Sequence, residues 1–342
     1  MEYSIPDFLP SFFGERAMLK RLLFIPLLAT PAWAETPVLT VYASTSFASE
    51  WGPGPAIETA FEAVCGCDLQ YRTTELIPSL MLEGARTEAD VVIGISTDET
   101  LRARATGLFS PHNQDLGSLT LPVEWTDNTF LPFNYGDTAF IYDNTKLTNP
   151  PTDFEALVAL PEDVKIVIQD PRSSGAGLAL VLWVKSVYGD QAEAYWQRLA
   201  PRILTVTKGW SEAYGLFTSG EADMVMSYIT SPAYHMIVEQ DETKVAAIFS
   251  EGHYFTAEVV GQIAGTDQPE LAQSFMDFVL SPTFQEMIPR VNFGFPVKLD
   301  PSLMPPEFAK LNLPPKSLFY TEAEVAAIQD EAIAEWQRAL SQ

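Results

Sequence analysis

The chain has 342 residues, 45 acidic against 20 basic side chains, and a formal charge of −25. That excess repels nucleic-acid phosphates and anionic membrane surfaces, and it suits a cationic small ligand better. At 47% hydrophobic and 19% charged the chain can bury a full core, and its length suggests about two domains of ~150 residues.

In chain order, Lys20 and Arg21 precede an apolar run over 22–28, and Ala32-Trp33-Ala34 supplies a small-x-small cleavage site. This is the layout of a secretory signal peptide cut after Ala34, and the run is too short for the ~20 apolar residues of a membrane span. Glu2, Asp7 and Glu15 spoil the stretch before Met18 as the start of a leader, so translation is expected from Met18. Strands are predicted at 38–42, 89–94, 165–169, 222–227 and 244–249, and helices at about 55–64, 178–188 and 192–199. This alternation implies an α/β fold with mostly parallel strands. The apolar, charge-poor stretch 130–143 reads as a crossing between two lobes, and 254–264 as the return. A helix opened by Pro269 and closed near Ser281-Pro282 follows. The C-terminal helix starts at a capping box, Thr321-Glu322-Ala323-Glu324, and carries a stripe of Val325, Ile328, Ala332 and Trp336. The expected division is a leader over 1–34, a first lobe of 35–135 with 258–342, and a second lobe of 136–257, with a hinged cleft between the lobes.

Ligands of such sheets bind beyond the C-terminal ends of strands. That rule selects five loops. In 169–177 (QDPRSSGAG) small residues and the hydroxyls of Ser173 and Ser174 open a helix, which suits either an anion site or an ordinary N-cap. Trp210 stands at the mouth of a helix-opening loop, and Tyr228 and Tyr234 lie on the loop after the next strand. Three aromatics there favour the stacking of a flat cation, at ~0.5–2 kcal/mol each, over core packing. Trp51, in 46–55, faces the cleft or packs under its Gly-Pro turn, and Phe293 lies in the glycine-aromatic loop 292–297. His112, His235 and His253 lack metal-ligand spacing, and no nucleophilic triad, Walker loop or dinucleotide fingerprint is present. The only two cysteines, Cys65 and Cys67, exclude a disulfide scaffold and a Cys-rich zinc module. In an oxidising compartment they are expected to close a small disulfide loop rather than act as a nucleophile.

These loops carry a family resemblance from about residue 37 to the C-terminus. VLTVY (38–42), WGPGP (51–55), ADVVIG (89–94), QDPRSS (169–174), TVTKGWSEAYGLF (205–217), TSPAYH (230–235), FSEGHY (249–254) and EWQRA (335–339) resemble the periplasmic thiamine-binding proteins of ABC importers. The resemblance implies the two-lobed type II periplasmic-binding-protein fold and a non-enzymatic, monomeric receptor without a cofactor. Such a receptor takes thiamine or its phosphates in the periplasm to a membrane permease with its ATPase. It also implies ligand contacts at Trp210, Tyr228 and Tyr234, with Ser174 near a phosphate. The chain departs from the family at Ser44-Thr45, where a Tyr-Asp pair is usual, so that Thr45 stands at a ligand position. It departs again at Phe293, in place of a Trp, and in a shortened loop over 74–78. Two rivals are a ferric-ion or polyamine receptor of the same fold and a thiaminase I-like enzyme using a free Cys65 or Cys67 thiol.

Overall fold

Alternating Val, Ile and Leu set the strands, and their period of two decides which face each side chain enters. In the computed structural model residues 36–341 are described, and the expected leader with its cleavage point after Ala34 lies outside them. The principal elements are β1 (Val38–Ala43), α1 (Gly54–Cys65), β2 (Asp68–Thr73), α2 (Leu76–Glu83), β3 (Val91–Ser96) and β4 (Leu131–Asp143). There follow β5 (Ile166–Gln169), α3 (Gly175–Tyr188), α4 (Ala192–Leu199), β6 (Ile203–Thr207), α5 (Trp210–Thr218) and β7 (Met224–Tyr228). Last come β8 (Lys244–Ala247), β9 (His253–Ile263), α6 (Pro269–Val279) and α7 (Glu322–Leu340). Among the described residues no helix is long and apolar enough to cross a membrane.

The strands form one path in the order β2-β1-β3-β9-β4-β7-β5-β6, with β8 on β4. β1 is parallel to β2 and β3, and β5 to β6 and β7, while β9 and β4 run antiparallel to their neighbours. The two stretches read as crossings are β4 and β9, which lie side by side at the centre. Residues 131–137 of β4 pair with β9, and residues 138–142 pair with β7. One strand therefore belongs to both halves of the sheet.

Both faces of each half are covered by helices, as expected where parallel strands dominate. In the first half Leu39, Val41, Val91, Ile93 and Val260 enter one cluster with Phe61 and Phe275, while Tyr42, Val92, Ile95 and Val259 enter another with Leu76 and Leu80. In the second half Ile166, Ile168, Met224 and Met226 join Trp183 and Trp196, and Val167 and Val225 join Ala213 and Phe217. β2 and β6 have no counterpart among the sequence expectations. Both are edges of the path; β2 (DLQYRT) is too polar to stand out, whereas β6 (ILTVT) carries a short β-branched signal that sequence reasoning missed. Cys65 and Cys67 form a disulfide around Gly66, whose φ of +65° is the left-handed cap of α1.

α7 begins at the expected capping box, with both of its hydrogen bonds present. The reading that assigned everything after 258 to the first lobe does not describe this helix. Val325, Ala332, Trp336 and Ala339 pack into the second-half cluster against α3 and α4. Lys185 Nζ donates to both Glu335 oxygens, at 2.8 and 2.9 Å, in a largely buried pair. At its start α7 reaches back to the first half, where Arg104 Nε lies 3.5 Å from Glu322 Oε1. Removing one partner of a buried pair strands the other charge. Glu335→Ala should therefore cost ~3 kcal/mol in denaturant unfolding, and Lys185→Met with Glu335→Leu much less than that. An equal loss in both variants would show that packing, not the stranded charge, sets the cost.

Candidate functional site

The loops that follow the parallel strands meet one another. After β2, Glu75 Oε1 lies 2.7 Å from Lys208 Nζ, which follows β6. Ser173, after β5, donates its hydroxyl to the Lys208 carbonyl at 2.8 Å. A Cβ on Gly175, the first residue of α3, would fall 3.1 Å from Ser96 Cβ and 3.7 Å from Glu99 Oε2 after β3. First and second halves thus face each other across these loops, above a floor made by β4 and β9.

One wall is aromatic. Trp210 is the first residue of α5, its ring stacked on Tyr214 at 4.6 Å and 23°. Its indole N–H donates to Ser227 Oγ at 2.8 Å, and Ser227 Oγ shares a 2.7 Å hydrogen bond with Ser231 Oγ. Behind it, Tyr214 OH pairs with His235 Nε2 at 2.9 Å and His235 Nδ1 with Glu239 Oε2 at 2.7 Å. A carboxylate only accepts, so Nδ1–H donates to Glu239. Tyr234 meets Phe293 edge-on at 5.2 Å and 85°. Phe293 holds φ at +57°, a left-handed conformation that costs a bulky side chain ~1–2 kcal/mol. Strain of this kind concentrates at functional positions, and here it accompanies the contact with Tyr234.

The other wall and the floor are acidic. Tyr228 closes β7 half-buried, its phenol pushed up by burial and then by Glu258, Asp98 and Glu99. Asp98 is buried, accepts from Tyr254 OH at 2.8 Å and leaves Oδ2 without a partner. Burial pushes its carboxyl up to about 7, against the opposing hydrogen bonds of Tyr254 and Ser96. Glu258 Oε2 accepts from the amides of Asn134 and Asn292. Burial raises the Glu258 carboxyl, and those two amides restrain the rise. Glu99 is likewise raised by burial and held back by Arg102 and the Ser96 backbone. Aromatic faces beside desolvated carboxylates are suited to a flat organic cation, which satisfies both. Among the described residues no group of three or more His, Cys, Asp or Glu side chains is placed to hold a metal ion, and no cysteine is free.

The structure brings Trp210, Tyr228, Tyr234 and Phe293 to this region, though on element ends rather than in loops proper. Tyr228 ends a strand, and Tyr234 ends the short helix Ser231–Tyr234. Ser174 is the N-cap of α3 and accepts from Gly177 N at 3.5 Å, while Ser173 is tied to Lys208. Thr45 is exposed on the short helix after β1. Trp51 is 74% exposed and does not pack under its Gly-Pro turn. Sequence reasoning missed Asp98, Glu99 and Glu258. The strand-end rule applied to β3 finds the first two, and Glu258 stands out as the one acid in a strand reading HYFTAEVVGQI.

The sequence pattern described as bacterial extracellular solute-binding protein matches residues 55–286. A thiamine-binding periplasmic protein of Escherichia coli (strain K12) is 47% identical over 328 residues, 95% of this chain and 100% of the relative. The protein of that name from Brucella abortus is 43% identical, over 95% of this chain and 98% of its own. Among solved structures, a periplasmic thiamin binding protein superposes with a TM-score of 0.87 at 47% identity, covering 90% of this chain and 97% of that one. A ferric binding protein from Campylobacter jejuni, at 18% identity and a TM-score of 0.69 over 88% of this chain and 99% of that one, shares the fold.

The Asp98 carboxyl sets a pH dependence. Its pKa rises from 3.8 to about 7 on folding, so the folded state holds the proton more tightly. Its contribution to stability is full below pH ~4, falls as pH rises and is lost above pH ~7. Asp98→Asn lacks this dependence, so its stability relative to wild type should climb by ~2–4 kcal/mol between pH 4 and 8 in urea titrations. A difference that stays flat across that range would show that Asp98 does not carry the proton.

Proposed function

Because the chain belongs to the bacterial extracellular solute-binding proteins, we propose that it is the periplasmic receptor of a thiamine importer, delivering thiamine or its phosphates to a membrane permease with its ATPase. The observation that carries the reading is the aromatic wall of Trp210, Tyr228 and Tyr234 set against Asp98, Glu99 and Glu258. Thiamine joins a thiazolium cation to a second flat ring, so it offers a π-face and a positive charge to those two walls at once. The names of the relatives support the same ligand. With both cysteines in a disulfide, the structure offers no thiol to a thiaminase-like step. Its family and its relatives' names are those of binders rather than enzymes.

In this reading Trp210, Tyr228, Tyr234 and Phe293 grip the rings, Thr45 and Trp51 come from the first-half rim, and Ser173 and Ser174 line the second-half side. The lobes, one built on 35–135 with the stretch that follows 258 and the other on 136–257 with α7 packed against it, close on the ligand, and the closed form is the one the permease takes. Binding shifts that equilibrium only by the difference in affinity between open and closed forms. Contacts made from both sides supply the difference. The receptor works as a monomer.

Mass spectrometry of ligand released from freshly purified, denatured protein should return thiamine or a phosphate of it. Trp210→Ala should weaken thiamine binding by ~1–3 kcal/mol in calorimetry, the range for an aromatic anchor. Unchanged affinity with the fold intact would return the ring to a packing role.

A further inference from the structure

Behind the aromatic wall lies a buried imidazole with both nitrogens bonded, and we propose that His235 and Glu239 are positioning residues that hold Trp210 and Tyr234 at the spacing a ligand meets. The proposal rests on the thiamine reading and adds the groups that keep its aromatic wall in place. His235 is fully buried between two rings. Tyr214 lies nearly parallel to it at 5.8 Å and 20°, and Tyr234 meets it edge-on at 5.1 Å and 78°. A phenyl ring is of similar size and would pack there. The imidazole adds two directional bonds, to the Tyr214 hydroxyl at 2.9 Å and to Glu239 Oε2 at 2.7 Å.

Each bond leads to one aromatic of the wall. Tyr214 is the plate on which Trp210 is stacked at 4.6 Å, and the Trp210 indole N–H is tethered separately to Ser227. With one face covered and its edge tethered, Trp210 offers a flat ligand its other face, at a depth that follows Tyr214. Tyr214 is gripped at its hydroxyl end by His235 and by Ser231, whose hydrogen bond opposes the rise that burial imposes on the phenol. On the other side Glu239 reaches Tyr234. Burial first, then the charge of Glu239 and a hydrogen bond to it, push the Tyr234 phenol up. One carboxylate therefore serves both aromatics. The backbone that carries it is irregular: His235–Glu239 form a π-helical turn closed by Gln240 at φ +56°, a conformation uncommon outside glycine. Turns of this kind recur at functional sites, and this one sends His235 into the core and leaves Glu239 43% exposed. A buried network with its members bonded fixes one arrangement of rings, where apolar packing by itself permits several.

The test is calorimetry of thiamine with the wild type, His235→Phe, His235→Gln, Tyr214→Phe, the double variant of the two phenylalanine changes, and Glu239→Ala. Each is checked for an intact fold by circular dichroism. Fluorine spectra of the same proteins labelled with fluorotryptophan follow Trp210 itself, whose line is identified by its loss in Trp210→Phe. His235→Phe and Tyr214→Phe keep the stack and remove the bond between the rings. Each should weaken thiamine about 10-fold, a loss of ~1.4 kcal/mol, and the double variant should fall well short of the ~100-fold that independent effects would give. His235→Gln, which can both donate and accept, should stay within about 3-fold of wild type, and Glu239→Ala should cost about 3-fold. The Trp210 line, single in the wild type, should shift or split in His235→Phe. Unchanged affinity in His235→Phe, losses that multiply in the double variant, or a Trp210 line that does not move overturns the proposal. Where His235→Phe fails to fold, Glu239→Ala, with its carboxylate at the surface, carries both readouts. A wild type that binds no thiamine defeats the thiamine reading instead. The Trp210 line then decides alone: displacement in His235→Phe and Glu239→Ala supports the positioning role, and a fixed line refutes it.

Discussion

The antiparallel ladder between β4 and β9 is the constraint on which the rest depends. β4 gives Leu131 and Phe133 to one half's core and Phe140 and Tyr142 to the other's, so neither half can shift without moving a strand that both share. The same ladder builds the floor of the cleft. Asn134 and Glu258 are register partners, and the amide donates to the carboxylate across the pair. Slipping either strand by one residue would turn one of these side chains to the opposite face and separate an acid from its donor. Fold and site are held by one set of backbone hydrogen bonds.

Around that floor the protein accepts unfavourable electrostatics. Burial raises Asp98, Glu99 and Glu258 above ordinary carboxylate values, and their near neighbours only partly offset it. Buried carboxylates without a full set of partners cost stability, and a neighbouring positive charge lowers that cost. The aromatic side is arranged oppositely. Trp210, Tyr214 and His235 are stacked and hydrogen-bonded to one another and to Ser227, which leaves these side chains little rotamer freedom. A rigid apolar wall thus stands opposite buried carboxylates.

Much of this was legible in the residues. Strand-length apolar runs located β1, β3, β5 and β7, Pro269 marked the start of α6, and the Thr321–Glu324 box marked α7. The rule about strand ends selected Trp210, Tyr228 and Tyr234 without any knowledge of packing. What escaped had weaker local signals. β2 is a polar edge strand whose identity comes from the neighbour it pairs with, and β6, the other edge, offers only five residues of signal in ILTVT. The acids were hidden for another reason: −25 of net charge makes any single carboxylate look like surface, and only the fold shows that three of them surround a tyrosine. The packing of α7 on α3 and α4 was equally invisible, because an amphipathic stripe says that a helix is buried and not against what.

That last helix has a consequence for the order of events in biosynthesis. Trp336 and Ala339 complete a cluster whose other members begin at Phe140, and β9, which must sit between β3 and β4, arrives only at His253. Until α7 joins it, the second-half cluster lacks Val325, Ala332, Trp336 and Ala339, whereas the first-half clusters draw on nothing beyond Val297. A chain that has reached β9 but not α7 therefore still exposes the faces of α3 and α4 that α7 covers. The second half is thus sealed by α7, far along the chain from the residues that begin it, after β9 has already tied the two halves together.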